Sequence, residues 1–474
     1  MKKQESQLNY YYLKIMDMVI IIFTIVLIIN SLFNFFQKSA YKNLDISLFF
    51  KLISTLLLFN FLIQIGKVIK KIFNFNNLSI SIIVFLISYF TIDNILLIFT
   101  KNINFHTFYN IISIFWIAYA LIKKVESKII LYLFLSYFSL VFFNNKFYLK
   151  LINQVSSQST DVAEFWMPSM LNILNNNYYY SLENNFVEGY GLLISYIHAL
   201  INIISMGRTI EGFNQISPNL YIFVCLFILF ISELELTQKT KSIVSLTALS
   251  ILLNSTWLRF LFIESLMGEA VISIVFVILI YEIFSSFNFY KDNAPILYVI
   301  FGSLFLGKQF IILISLFILL IEFLVNKNIK IVIFSPLVFL FYSTYSKYFF
   351  GSGYKISYLN GNTIFDIFKL YILENNLSLV NISKIIDIFL LDKIFIIFIF
   401  VFILSYLGNL KTNKFLFNNY LNFSIFTNTI LIFLLYISYW QNIELESAYR
   451  YFLNLIYVIF LKYALNIEKI FVKK

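Results

Sequence analysis

The sequence predicts an all-α fold, a polytopic transmembrane helical bundle of about fourteen spans. Of 474 residues, 60% are hydrophobic and 12% charged, with a mean hydropathy of +0.85, whereas soluble domains carry roughly 25% charged residues. The apolar runs are long and do not alternate with polar residues. This favours helices over a closed barrel, the two structures that pair every backbone N–H and C=O inside hydrocarbon. Lysines gather between the runs, as they do at cytoplasmic helix ends.

The runs fall at 18–36, 47–66, 79–100, 105–122, 129–143, 190–206, 218–232, 242–256, 266–285, 295–307, 309–325, 331–349, 392–409, 419–438 and 447–466. The first is longer than a signal-peptide core and lacks a small-x-small cleavage site, so it reads as a retained span. Two polar stretches, 144–188 and 350–391, interrupt the series.

Short loops rich in Lys and Arg stay cytoplasmic. Lys2, Lys3 and Lys14 place the N-terminus inside; Lys67, Lys70 and Lys71, then Lys123, Lys124 and Lys128, mark the next inside turns. The helix at 129–143 therefore delivers 144–188 to the outer face. If 190–206 crosses, Lys327, Lys330, Lys411 and Lys414 fall outside; if it lies along the outer surface or re-enters, they fall inside with Lys473 and Lys474. The second counting is preferred and puts both termini in the cytoplasm. The outer face then gathers Asp161, Glu164, Arg259, Glu264, Lys308 and Arg450, groups that are costly there unless they face water or one another. Asp93 and Lys51, each inside a span, mark a polar contact among the N-terminal helices.

The remaining bulk features exclude more than they assign. An aromatic content of 20% accompanies abundant Ile, Lys and Asn, the codon bias of an AT-rich genome rather than a sugar-stacking surface. The net charge of +11 follows from lysines at helix ends and calls for no nucleic acid. A single cysteine, Cys225, excludes an internal disulfide and a thiolate metal cluster. His106 and His198 are too few and too far apart for a metal site and read as packed helix residues. No internal repeat of 20–50 residues is visible, and no duplicated half with paired broken helices, which weighs against common transporter architectures.

Chemistry-bearing residues concentrate in the first outer stretch. In Thr160-Asp161-Val162-Ala163-Glu164-Phe165-Trp166-Met167-Pro168, Asp161 and Glu164 fall on one helical face, where two carboxylates can raise one another's pKa, position a base or bind a divalent cation. The same spacing is that of a helix cap, with Thr160 or Asp161 accepting from exposed N–H groups and Glu164 closing a capping box. Lys308 and Arg450 at helix ends can snorkel to headgroups. Arg259 and Glu264 can pair with each other, and Glu269 stands one turn inside an apolar helix, where burial is expensive.

The order of these elements resembles the GT-C superfamily of polytopic glycosyltransferases. Asp161, then Trp166, a helix over Met167–Leu174, a polar 175–185, and Gly189-Tyr190-Gly191-Leu192-Leu193 are similar to that family's first outer loop. The family's adjacent Asp-Glu pair is here Asp161-Val162, with Glu164 displaced, and its proline-bearing turn reads Glu188-Gly189-Tyr190-Gly191. Gly307-Lys308-Gln309 is similar to a Lys-Gln turn of such proteins, Ala448-Tyr449-Arg450-Tyr451 to a late Arg-Tyr element, and 254–269 falls where a second acidic outer turn stands. The resemblance covers about 129–466 and divides the chain into N-terminal helices outside it (1–128), a catalytic core (129–349), and an outer loop with C-terminal helices (350–474).

What the resemblance implies is transfer of a sugar from a polyprenyl-phosphate donor to a glycan, lipid or protein acceptor at the extracytoplasmic face of a bacterial inner membrane. Asp161, with Glu164, takes the catalytic carboxylate's place. Lys308, Arg450, Tyr451, Glu264, Glu269 and Trp166 take substrate- and phosphate-binding places. Asp161 with Glu164 or Glu269 could hold Mg²⁺ or Mn²⁺, although a carboxylate base needs no metal. An O-antigen-type polymerase or ligase depends on outer Arg and His sites, in which this chain is poor. A flippase or transporter of lipid-linked sugars needs midplane polar residues, whereas the ionisable groups here cluster towards one end.

Overall fold

The computed structural model describes residues 46–75, 77–99, 105–146, 166–174, 193–204, 218–255, 268–285, 294–304 and 453–472. It also describes positions 258, 261, 262, 329, 330, 332–337, 340, 383, 396, 399, 400 and 403. Every regular element among them is a helix, as the composition predicts. The runs expected at 18–36, 309–325 and 419–438 lie outside the described residues.

Four helices follow the expected pattern near the start: α1 (Ile46–Phe73), α2 (Leu78–Phe99), α3 (Phe105–Ile122) and α4 (Ser127–Lys146). α1 outruns its expected end at 66, so Lys67, Lys70 and Lys71 sit in its last two turns instead of in a loop. Lysine is a strong helix former and is favourable where the last carbonyls lack partners. α1 stops at Asn74, whose φ is 57°, and the Phe75 N–H donates to the Lys70 carbonyl at 3.1 Å. This six-to-one bond is that of a Schellman ending. α3 ends the same way: Lys124 has φ 51°, Val125 N–H donates to Ala120 O at 3.1 Å, and Lys124 N–H to Leu121 O at 3.1 Å. Asparagine tolerates this left-handed position, whereas lysine occupies it against the usual preference for glycine.

The remaining helices are α5 (Met167–Leu174), α6 (Leu193–Ile204), α7 (Pro218–Ile222), α8 (Leu229–Glu233), α9 (Gln238–Asn254), α10 (Gly268–Ser285), α11 (Ala294–Ser303) and α12 (Leu453–Val472). A π-helical turn, Phe223–Ile228, joins α7 to α8.

These elements belong to two compact units. In the larger, drawn from Asn43–Phe230 and Phe262–Lys369, α1 packs on α2 and α4, α2 on α6 and α10, and α5 on α6. Phe61 and Phe85 meet edge to face across α1 and α2, with centroids 6.0 Å apart. Asn60 Nδ2 donates to Ser136 Oγ across α1 and α4, and Gln64 Nε2 donates to Asn60 Oδ1 at 3.1 Å. α10 is buried on every side from Gly268 to Ile280, the signature of an interior helix with no polar face. At its far end Glu282, also buried, accepts from Asn77 Nδ2 in the α1–α2 turn.

In the smaller unit, drawn from Ile231–Leu261 and Leu370–Lys474, α9 packs on α12. Thr237 caps α9 and gives both its N–H (2.9 and 3.0 Å) and its hydroxyl (2.9 Å) to the Glu468 carboxylate of α12. Four orphan N–H groups open any helix, and here a long-range carboxylate reinforces the cap.

Among the described residues no single helix is long and apolar enough to cross a membrane, but Leu56–Phe73 and Leu78–Tyr89, bent by 96°, pass that test as a pair. α3 and α4 turn large apolar side chains outward, including Ile111, Phe115, Ile122, Leu131, Leu135 and Phe138. The segment 190–206, expected along the outer surface or as a re-entrant stretch, holds α6, whose residues from Leu193 to Ile201 are all buried. It is an internal helix of the larger unit.

Two outcomes follow. A methyl group at Gly302 of α11 would fall on the backbone carbonyl of Ser335, so Gly302→Ala forces backbone apart and is expected to cost about 3 kcal/mol, read as a lowered Tm of the purified protein. Lys71 Nζ lies 2.7 Å from Glu126 Oε1, and that hydrogen bond, followed by the lysine's charge, holds the Glu126 carboxyl below its usual range. A depressed carboxyl stabilises above its unfolded pKa and loses this effect as pH falls through the folded value. Because the pair is exposed, Glu126→Gln should lower Tm only slightly at neutral pH and low salt, and the difference from wild type should vanish in acid and in 1 M salt.

Candidate functional site

Of the eight residues singled out for the site, Trp166 and Glu269 are described; Asp161, Glu164, Glu264, Lys308, Arg450 and Tyr451 lie outside the described residues. The two that are described lie at one junction. Trp166 immediately precedes α5 and is 2% exposed. A methyl group at Gly268 would stand 2.8 Å from its ring carbons Cη2 and Cζ2, and 2.6 Å from Ile194 Cδ1 of α6. Only the bare Cα of a glycine admits both side chains, so the entry to α5, the start of α6 and the first residue of α10 converge on that point. Glu269 is the next residue.

Glu269, expected inside an apolar helix, belongs to α10 and is fully buried. Ser273 one turn on donates its hydroxyl to the Glu269 carbonyl at 2.5 Å.

A second polar pair adjoins α6. His198, one turn beyond Ile194, is fully buried, and its Nε2 lies 2.8 Å from Asn219 Oδ1 near the start of α7. With Nε2–H donating to the amide oxygen, Nδ1 carries the bare lone pair, and it has no hydrogen-bond partner among the described residues. Burial pushes the His198 pKa down to about 4, against the Asn219 bond, which raises it. His198 is therefore neutral at physiological pH. Sequence reasoning read it as a packed helix residue, and nothing in its neighbours pointed to Asn219, 21 residues away. The Asn77–Glu282 pair was missed as well, although an acidic residue late in an apolar run was a visible signal.

α10 sets the distance between the two regions. Gly268 meets Trp166 at one end, and Glu282 meets the α1–α2 turn near the other. At 1.5 Å per residue, Glu269 and Glu282 stand about 20 Å apart along the axis. The carboxylate of the candidate site and the turn that follows Lys70 and Lys71 thus occupy opposite ends of one buried helix. Among the described residues no group of three or more His, Cys, Asp or Glu could hold a metal ion.

The Trp166 contact yields a direct test. Gly268→Ala must displace the buried indole or Ile194, and is expected to cost about 1–3 kcal/mol. The combined Gly268→Ala, Trp166→Phe protein, with a smaller ring at the contact, should recover part of that loss in Tm; equal losses would show that the two residues do not press on each other. No family model, curated protein or solved structure matches the chain.

Proposed function

We propose that the chain is a GT-C-like glycosyltransferase of a bacterial inner membrane, moving a sugar from a polyprenyl-phosphate donor to an acceptor at the outer face. The observation that carries this reading is the junction of Trp166 with Gly268 and Glu269. Covalent reach does the rest: at no more than about 3.6 Å per residue, Asp161 lies within about 18 Å of Trp166, Glu164 within about 7 Å, and Glu264 within about 14 Å of Gly268. Four acidic residues separated by over a hundred positions in sequence are thereby tethered to one neighbourhood. Its position at the end of α10 remote from Lys70 and Lys71 supports the outward orientation inferred from lysine counting, and the apolar faces of α3 and α4 support residence in lipid.

In this reading Asp161 accepts the proton of the acceptor's hydroxyl or amide as that group attacks the anomeric carbon. The bond from that carbon to the phosphate oxygen breaks, the configuration inverts, and the polyprenyl phosphate leaves with the electron pair. Lys308 balances the charge growing on the leaving oxygen. Trp166 positions the first turn of α10, and Glu269 orients the sugar or acceptor. A divalent cation, if bound by Asp161 and Glu164, would supply further charge compensation to the phosphate.

Asp161→Asn keeps shape and removes the base. Transfer should fall by about 10²–10⁴-fold, while the protein still inserts and elutes as wild type in detergent. Undiminished glycan product from cells carrying only this variant would overturn the assignment.

A further inference from the structure

The larger unit carries a second surface, away from the candidate site, that the transferase reading does not use. The Lys71–Glu126 bridge joins the end of α1 to the α3–α4 turn, and so brings Lys67, Lys70 and Lys71 beside Lys123, Lys124 and Lys128. Glu126 is the only carboxylate within either stretch, 63–75 or 117–132. Next to the lysines stand two tyrosines: Lys123 Nζ lies 5.6 Å from the Tyr119 ring centroid and Lys128 Nζ 5.9 Å from that of Tyr132. The outward apolar faces of α3 and α4 run from Ile122 back to Ile111 and from Leu131 on to Phe138, with both tyrosines among them. Lysines at the turn, with tyrosines and apolar side chains along the helices behind them, match the headgroups and tails of a bilayer. The exposed stretch from Ile111 to Ile122 rises about 16 Å, close to one leaflet of a ~30 Å core.

Lys124 adds an independent sign. It holds a left-handed φ of 51° at the position where glycine would end α3 without steric cost. A local rule is broken in favour of charge, as happens at functional positions.

We propose that this face is a docking site for anionic phospholipid, in which the outward sides of α3 and α4 lie against acyl chains and the lysine cluster binds phosphate headgroups of the cytoplasmic leaflet. It rests on the membrane part of the proposed function and not on the transfer chemistry. The occupant follows from charge complementarity, six lysines against one carboxylate, bordered by an apolar band that water would not solvate.

The test titrates the purified full chain in neutral detergent with phosphatidylglycerol or phosphatidylcholine and reads bound lipid by native mass spectrometry and Tm. Wild type should retain phosphatidylglycerol preferentially and gain Tm with it, and 0.5 M salt should weaken this. Lys123→Gln and Lys128→Gln should each lower apparent affinity about fivefold. Lys124→Gly should do the same while preserving or raising the lipid-free Tm, because it relieves the left-handed strain; that separates lost binding from lost folding. Equal retention of the two lipids, or a triple variant that binds like wild type, overturns the site. A chain recovered from the aqueous fraction without detergent overturns the membrane reading and the lipid site together.

Discussion

A backbone surrounded by apolar side chains must satisfy its own N–H and C=O groups, and this constraint underlies every described element. With 60% of the residues hydrophobic, helices are the local answer, and the few buried side-chain polar groups then have to find each other across helices. Asn77 with Glu282 and His198 with Asn219 are such solutions in the larger unit. Each fixes one register of packing, because a slip of one turn would leave a buried amide or carboxyl unsatisfied at a cost of about 1–3 kcal/mol. Apolar surfaces that slide over one another without preference thereby acquire specific neighbours.

Glycine supplies the complementary device. Where two helices or a helix and a ring must approach more closely than a Cβ allows, as at Gly268 and Gly302, a missing side chain sets the geometry. Gly268 is the more consequential, since it binds the entry of α5 and the flank of α6 to the first turn of α10 and so determines where Glu269 stands. Polar pairing at the Glu282 end and close packing at the Gly268 end hold the same helix, which gives α10 its place as the axis between the lysine-rich turn and Glu269.

Much of the helical layout was legible. The run 105–122 coincides with α3, and the helix expected at Met167–Leu174 is α5, because hydropathy and cap chemistry are local. Boundaries carried by charged residues were less so. α1 continues through Lys67, Lys70 and Lys71 to Asn74 since helix propensity, not hydropathy, decides where backbone hydrogen bonding stops. α6 is buried within the larger unit, because an apolar dozen residues can be buried by protein as readily as by lipid. Of the candidate site, the types of the acidic residues and their order were readable, but the contact of Trp166 with Gly268 was not.

The sequence by itself determined the helical class, the apolar segments and the uneven placement of lysines, since each depends on which residues leave water and how a single stretch of chain pairs its backbone. Only the tertiary structure decided that Trp166 packs at the start of α10, that Glu282 answers Asn77, and that Lys71 reaches Glu126 to gather two lysine groups into one surface. These contacts join positions 55 to 205 residues apart where a bond is made. They depend on the mutual fit of helix faces, a property of shape that no local pattern of hydropathy encodes.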